Sequence, residues 1–239
     1  TFSSPKRNDW YLMFGSGPNG TDAQTYTLAA RQGVSNKSAK IFVYDLKRRQ
    51  YTNFDSTGYF NVRTQPNSFI GGLTAVDWDQ KDGYGTDAVY FGSVRETSEK
   101  SWGDLIRFVP GPNGDMVNPK INRLLVTGEG KSIRQAVQGV PAVVNRLGEQ
   151  WVYFGTGRFI GEGDSKTEKS MGFYAVREFP TEGQYLRSEY RLSNLVNTDN
   201  FHVEFDENET NGNLIREDGS PLIANSGDFD LSAELGQEA

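Results

Sequence analysis

No cysteine occurs in this 239-residue chain, and His202 is its only histidine. The first absence removes disulfides, thiolate metal sites and a cysteine nucleophile, while leaving the cellular compartment open. The second confines any histidine triad to His202, within the alternating run Asn200-Phe201-His202-Val203-Glu204, where it reads as a surface or half-buried strand residue. A zinc site would need mostly carboxylate ligands, against the metal's usual choice of nitrogen and sulfur. Apolar residues are also scarce, at 36%, and no run is long enough to cross a membrane as a helix. Thr1-Phe2-Ser3 does not open a signal peptide, and with no initiator Met the chain is expected to be a mature product or an excised fragment. Positive charge is in deficit: 25 Lys and Arg against 31 Asp and Glu leave a net charge of −6, which argues against a phosphate-binding surface and so against nucleic acid as partner. Long 3.6-residue periodicity is missing too, so helices should be short and few.

Glycine and aromatic residues are plentiful, at 27 glycines and 13% aromatics, as in a turn-rich β-protein. They fall into a repeat. Phe-Gly-Ser/Thr closes an apolar run three times, in Trp10-Tyr11-Leu12-Met13-Phe14-Gly15-Ser16, Val89-Tyr90-Phe91-Gly92-Ser93 and Trp151-Val152-Tyr153-Phe154-Gly155-Thr156. After each copy and a polar stretch comes a second β-like run: Ile41–Leu46, Asp104–Val109 and Gly172–Val176. Further runs at 73–78 and 140–146 precede the second and third copies, and others at 51–54 and 121–127 follow the first and second units. The second unit therefore reads as strands at 73–78, 86–93, 102–109 and 121–127. The third reads as 140–146, 150–157 and 171–178, with a weaker fourth within 185–196. In the first unit the innermost strand is missing. Four-stranded antiparallel units in series point to propeller blades. The fold expected is all-β, part of a β-propeller of about three four-stranded blades (about 1–66, 67–135 and 136–197), followed by an irregular acidic segment at 198–239. Three blades cannot close a ring, so a partner chain or the remainder of a parent propeller is expected to cover the open blade edge.

The sharpest chemical signal is Asp77-Trp78-Asp79-Gln80-Lys81-Asp82-Gly83-Tyr84-Gly85-Thr86-Asp87, between two predicted strands. Calcium takes six to eight hard oxygen ligands, and compact Asp/Gly loops of the form D-x-[DN]-x-D-G-x-x-D wrap carboxylates around one ion. Asp77 and Asp79 hold the first and third places. Lys81 stands where the fifth ligand belongs, with Asp82-Gly83 one residue late and Asp87 two late, so the loop must bulge for Asp82 to reach inward. A polar hairpin using Asp and Gly only for turn geometry is the alternative.

The remaining candidates read as structure. A phosphate cradle needs a strand feeding a helix, and no helical pattern follows any Phe-Gly-Ser/Thr copy, so these glycines mark crowded or bulged strands. Trp10, Trp78, Trp102 and Trp151 are expected to pack between sheets, with sugar stacking by an exposed one as the alternative. Lys47-Arg48-Arg49 directly follows a strand and reads as a solvated turn. Paired carboxylates for glycoside hydrolysis have no informative spacing here.

Taken in order, Trp10 to Pro18 with Ala39 to Leu46, Val76-Asp77-Trp78-Asp79 through Asp87 to Gly92 with Trp102 to Phe108, and Trp151 to Phe159 with Gly172 to Val176 resemble successive blades of the PilC/PilY family of type IV pilus tip-associated adhesins. The resemblance covers about residues 10–178. It implies the C-terminal modified propeller of a large exported protein at the pilus tip or outer cell surface, supporting pilus extension and adhesion. Its implied partners are pilins or minor pilins and a host or abiotic surface. It also implies Ca2+ in the loop matched by Asp77, Asp79, Asp82 and Asp87, with occupancy influencing whether pili stay extended; Lys81 and the two extra residues depart from that pattern. The reading is of a non-enzymatic, calcium-responsive propeller. Two rivals are a quinoprotein-like propeller dehydrogenase and an integrin-like propeller with calcium in several blade hairpins, although only one of three units here carries such a loop.

Overall fold

A computed structural model describes residues 2–4, 9–20, 23–52, 60–62, 67–78, 85–96, 101–111, 115–127, 135–146, 149–160, 164, 171–178, 180–181, 184–185, 190–191, 195, 201–205 and 212–216. Over these the chain is nearly all β, built from antiparallel sheets in a propeller-like series. The first sheet contains β1 (Phe2–Ser4), β2 (Asp9–Gly15), β3 (Lys40–Asp45), β4 (Gln50–Thr52) and β5 (Phe60–Asn61), in the order β1-β2-β3-β4 with β5 also on β3. The missing innermost strand of the first unit is thus present: Phe2, Ser3 and Ser4 pair with Tyr11, Trp10 and Asp9. Three residues with no alternating pattern carry too little signal to read as a strand alone.

The second sheet holds β6 (Ser68–Val76), β7 (Ala88–Glu96), β8 (Ser101–Trp102), β9 (Asp104–Gly111) and β10 (Asp115–Val126). β6, β7, β9 and β10 lie side by side and antiparallel, as the sequence reading of the second unit requires. β11 (Ala142–Arg146), β12 (Glu149–Gly155) and β13 (Phe173–Glu178) form the third sheet. A small ladder joins β14 (Pro180–Thr181) to β15 (Gln184–Tyr185). β16 (Tyr190–Arg191) falls where a fourth strand of the third unit is expected, yet it runs parallel to β10 and extends the second sheet. Tyr190 is buried there and donates its hydroxyl hydrogen to Arg177 O at 2.9 Å. The pairing of Tyr190 and Arg191 with Leu125 and Val126 covers that part of the edge of β10. These elements belong to a compact unit, Thr1–Leu192; the second unit, Ser193–Ala239, contains the hairpin of β17 (Phe201–Phe205) and β18 (Gly212–Arg216).

The one helix among the described residues, α1 (Ala23–Gln32), lies in the polar stretch after β2. It follows the first Phe-Gly-Ser/Thr copy, where no helical pattern is expected, because ten residues are too few to show a long 3.6-residue periodicity. Its end is well made: Gly33 adopts φ 65° and Val34 N–H reaches back to Ala29 O at 3.1 Å, the left-handed close that glycine favours. Arg158, from the loop after β12, donates to Gly33 O and Gln32 O at the negative end of the helix and is itself held by Asp164.

Strand alternation decides how the sheets stack. On β2, Tyr11 and Met13 face the second sheet and join Ile41, Val43, Ile70, Val89, Phe91, Ile106 and Phe108 in the main core. Trp10, Leu12 and Phe14 point the other way and are exposed, so Trp10, at 56% exposure, does not pack between sheets as expected. There Phe14 stacks on Phe42 at 5.2 Å and Tyr51 packs edge-on to both. The second sheet is covered on both faces: Ile106 and Phe108 turn to the first sheet, and Arg107 turns to the third. Trp78 alone of the four tryptophans is buried; Trp102 is half-buried under the Arg95 guanidinium, 4.6 Å from the ring centroid, and Trp151 is half-buried in a row with Tyr153 and Phe173.

Each Phe-Gly-Ser/Thr copy does the same structural job. The serine or threonine hydroxyl accepts the N–H that starts the neighbouring strand: Lys40 N to Ser16 Oγ at 3.0 Å, Asp104 N to Ser93 Oγ at 3.0 Å, and Gly172 N to Thr156 Oγ1 at 2.8 Å. In the first two copies the glycine also makes room for the next unit. A Cβ on Gly15 would meet Ile70 Cγ1 at 2.7 Å, and one on Gly92 would meet Val137 Cγ1 at 2.5 Å. Both are too close for any side chain, which is the physical reason for glycine.

Candidate functional site

The acidic loop at 77–87 joins β6 to β7 at one end of the second sheet. The ladder closes with Val76 opposite Ala88, and Asp87 N–H donates to Val76 O at 2.9 Å. Asp77 and Asp87 therefore stand one step beyond the last rung, one on each stem. Trp78 N–H donates to Asp87 Oδ2 at 2.7 Å, so the Asp87 carboxylate ties the two stems together. The Trp78 ring is buried edge-on to Tyr90 at 6.0 Å, and its carbonyl accepts Asn145 Nδ2 of β11 at 3.5 Å. Apolar burial of the indole and these three hydrogen bonds mount the mouth of the loop on two sheets.

Asp79 and Asp82 lie outside the described residues, as does Lys81. Of the four sequence-predicted ligands, the structure places Asp77 and Asp87 at one mouth. Among the described residues no group of three or more His, Cys, Asp and Glu is assembled. The donor chemistry fits a hard cation: four carboxylates on one short hairpin, with no nitrogen or sulfur ligand among them. Asp87 also serves the hairpin itself by capping the Trp78 N–H, a role that spacing alone does not reveal.

Beneath this loop lies a polar group the sequence does not announce. Arg107 of β9 and Glu178 of β13 are both buried and paired, with Arg107 Nη1 2.7 Å from each carboxylate oxygen; Tyr90 donates its hydroxyl hydrogen to Glu178 Oε1 at 3.2 Å. Burial pushes the Glu178 carboxyl above its ordinary value, against the pull of Arg107 and the Tyr90 hydroxyl. The group ties the second sheet to the third. Arg107 sits in a strand of otherwise apolar alternation, Leu105-Ile106-Arg107-Phe108, and a lone charge in such a run is the signal for a buried partner.

Lys47-Arg48-Arg49 is the solvated turn expected of it. Its residues are exposed, Lys47 and Arg48 pair with Asp9, and Arg48 also pairs with Asp45. Desolvation would raise the Asp45 carboxyl, but the Arg48 and Lys47 backbone N–H groups and the Arg48 guanidinium outweigh it and hold it below the ordinary value. His202 is on β17 opposite Ile215, and its side chain lies outside the described residues.

No protein-family model matches this chain, and no curated protein matches it. Among solved structures it is similar to the crystal structure of the Pseudomonas aeruginosa PilY1 C-terminal domain, with a TM-score of 0.57 and 19% identity over 92% of this chain. The fold is shared. The chain spans about half of that domain, 48% of its length.

Proposed function

We propose that this chain is a non-enzymatic, calcium-responsive propeller module of a type IV pilus-associated protein, exported to the cell surface or pilus tip and acting in pilus extension and surface attachment. The observation that carries the reading is the fold it shares with the PilY1 C-terminal domain over nearly its whole length. The Asp77–Asp87 loop adds the calcium part. Partners of this function are pilins or minor pilins and a host or abiotic surface. No helix among the described residues is long and apolar enough to cross a membrane.

Asp77, Asp79, Asp82 and Asp87 would hold the ion, whose chemistry here is to neutralise carboxylates crowded on one hairpin. Trp78 and Asp87 set the spacing of the stems, and the sheets behind them resist collapse. Without a counter-charge the four carboxylates repel one another and loosen the β6–β7 turn. Rigidity of that blade end is then what calcium controls.

Thermal unfolding with excess calcium against EGTA tests this on the parent chain, on Asp79→Asn and on Asp87→Ala. Calcium at 100 times its dissociation constant adds about 2.7 kcal/mol by mass action, or roughly 5–11 °C in melting temperature. The shift should vanish in both variants. Asp79→Asn separates ligation from the capping of Trp78, which Asp87→Ala also removes. A parent chain that melts identically in calcium and EGTA overturns the calcium reading.

A further inference from the structure

Cross-strand register lines up three polar residues on one rung of the third sheet. Asn145 of β11 lies opposite Gln150 of β12, and Gln150 lies opposite Glu178 of β13. Directly opposed residues share a face, and Glu178 meets Arg107, so this rung faces the second sheet. Gln150 and Glu178 are buried there. The second sheet answers with a rung of its own: Tyr90 of β7 lies opposite Arg107 of β9, and both are buried. Polar groups inside a sheet-on-sheet contact cost stability unless they are paired, and such a contact does not need them. Between the first and second sheets the corresponding core is filled by Ile41, Val43, Ile70, Phe91 and Phe108.

The two polar rungs lie beside the acidic loop. Tyr90 is two residues along β7 from Ala88, which closes the ladder with Val76, and only about 10 Å of extended chain from Asp87. Trp78 is what they hold. Its indole is edge-on to the Tyr90 ring at 6.0 Å, and the Tyr90 hydroxyl donates to Glu178 Oε1 at 3.2 Å. The Trp78 carbonyl accepts Asn145 Nδ2 at 3.5 Å, while its N–H donates to Asp87 Oδ2 at 2.7 Å. Trp78 thus stands between the Asp87 carboxylate and the two ends of the third-sheet rung. The stems of the loop cannot change their spacing without moving Trp78, and Trp78 cannot move without disturbing its contacts to the third sheet.

We propose that the third sheet is a positioning element for the 77–87 loop: Asn145 directly, and Glu178 through Tyr90, hold Trp78 and so fix the mouth formed by Asp77 and Asp87. Seating of the third sheet and cation affinity of the loop are then one coupled equilibrium, in which each favours the other to the same extent. The coupling rests on the calcium reading of the loop and extends it from local stiffening of one hairpin to a change carried from sheet to sheet. Its two-state element is the third sheet, seated with the polar rungs in contact or loosened with Trp78 released.

Calcium titration calorimetry on the parent and on Tyr90→Phe with Asn145→Ala, joined to hydrogen exchange in calcium and in EGTA, tests this. Tyr90→Phe keeps the ring against Trp78 and removes only its hold on Glu178. The combined variant should bind calcium about fivefold or more weakly, the low end of coupling between sites. In the parent, calcium should raise protection of the third-sheet amides of Val152 and Val176 by more than that of Ile41 and Val43 in the first sheet. That excess should disappear in the combined variant while the Asp87 amide still gains protection. Arg107→Met with Glu178→Leu is a second route, taking the acceptor from Tyr90 while replacing the ion pair by apolar packing. Affinity lost there at near-parent urea stability separates positioning from folding. Parent-level affinity in the variants, or protection changes confined to residues 76–88, overturns the coupling and leaves the calcium reading standing. A parent chain that binds no calcium overturns both.

Discussion

Gly92→Ala is a change of one methyl group, and the repeat geometry makes it costly. The added Cβ would meet Val137 Cγ1 at 2.5 Å and Val137 C at 2.7 Å, distances that real Cβ atoms do not show. Two responses are open to the fold. If the 135–137 segment stays, overpacking costs about 1–3 kcal/mol. If it lifts, burial of Val137 is lost, about 1.5–3 kcal/mol, together with its hydrogen bond to Ser93 O, about 1 kcal/mol. The two routes bracket roughly 1–4 kcal/mol, or about 2–16 °C in melting temperature for a chain of this size. Gly155→Ala is the internal control, since its Cβ meets nothing within 4 Å among the described residues, and it should change stability by no more than about 0.5 kcal/mol. Thermal melts compare the two variants. Hydrogen exchange adds a local readout, because the Val137 amide should lose protection in Gly92→Ala alone. Equal melting temperatures for the two would refute the view that glycine at 92 is held by the crossing segment.

Three further outcomes follow from the polar contacts. Arg107→Met leaves the Glu178 carboxyl buried without its cation and should cost about 3–5 kcal/mol by urea unfolding, while Arg107→Met with Glu178→Leu should recover most of that loss. Because the folded-state value of Glu178 is raised, the folded chain keeps that proton longer than the unfolded chain does. Its ionisation therefore lowers stability as pH rises from the ordinary value of 4.5 through the higher folded value. The parent should lose melting temperature relative to Glu178→Gln across that window, and a parent that gains instead refutes the direction. Asp45 has the opposite sign: its carboxyl is held low, so its contribution is present above the ordinary value of 3.8 and fades as pH falls through the folded value. Asp45→Ala should flatten the acid limb of the melting-temperature profile.

The strands that sequence alone could place are those whose neighbours in the chain carry the information. Alternation in Trp10–Gly15, Ile41–Asp45 and Asp104–Phe108 depends only on period-two placement about a sheet, so β2, β3 and β9 are legible before any contact is known. The repeat of Phe-Gly-Ser/Thr likewise displays the blade series, and the acidic loop shows its composition. Tertiary structure decided the rest. β1 and β16 are two or three residues long and exist because a longer strand offers them an edge, which no local pattern encodes. Which face of β2 would be buried depended on the second sheet lying on one side of it, so Trp10 and Tyr11, both aromatic, met opposite fates. Arg107 found its carboxylate 71 residues away, a pairing set by the stacking of two sheets. The glycines at 15, 92 and 155 are identical as letters. What separates them is whether Ile70, Val137 or, among the described residues, nothing within 4 Å lies over the missing Cβ, and that is a matter of packing between units.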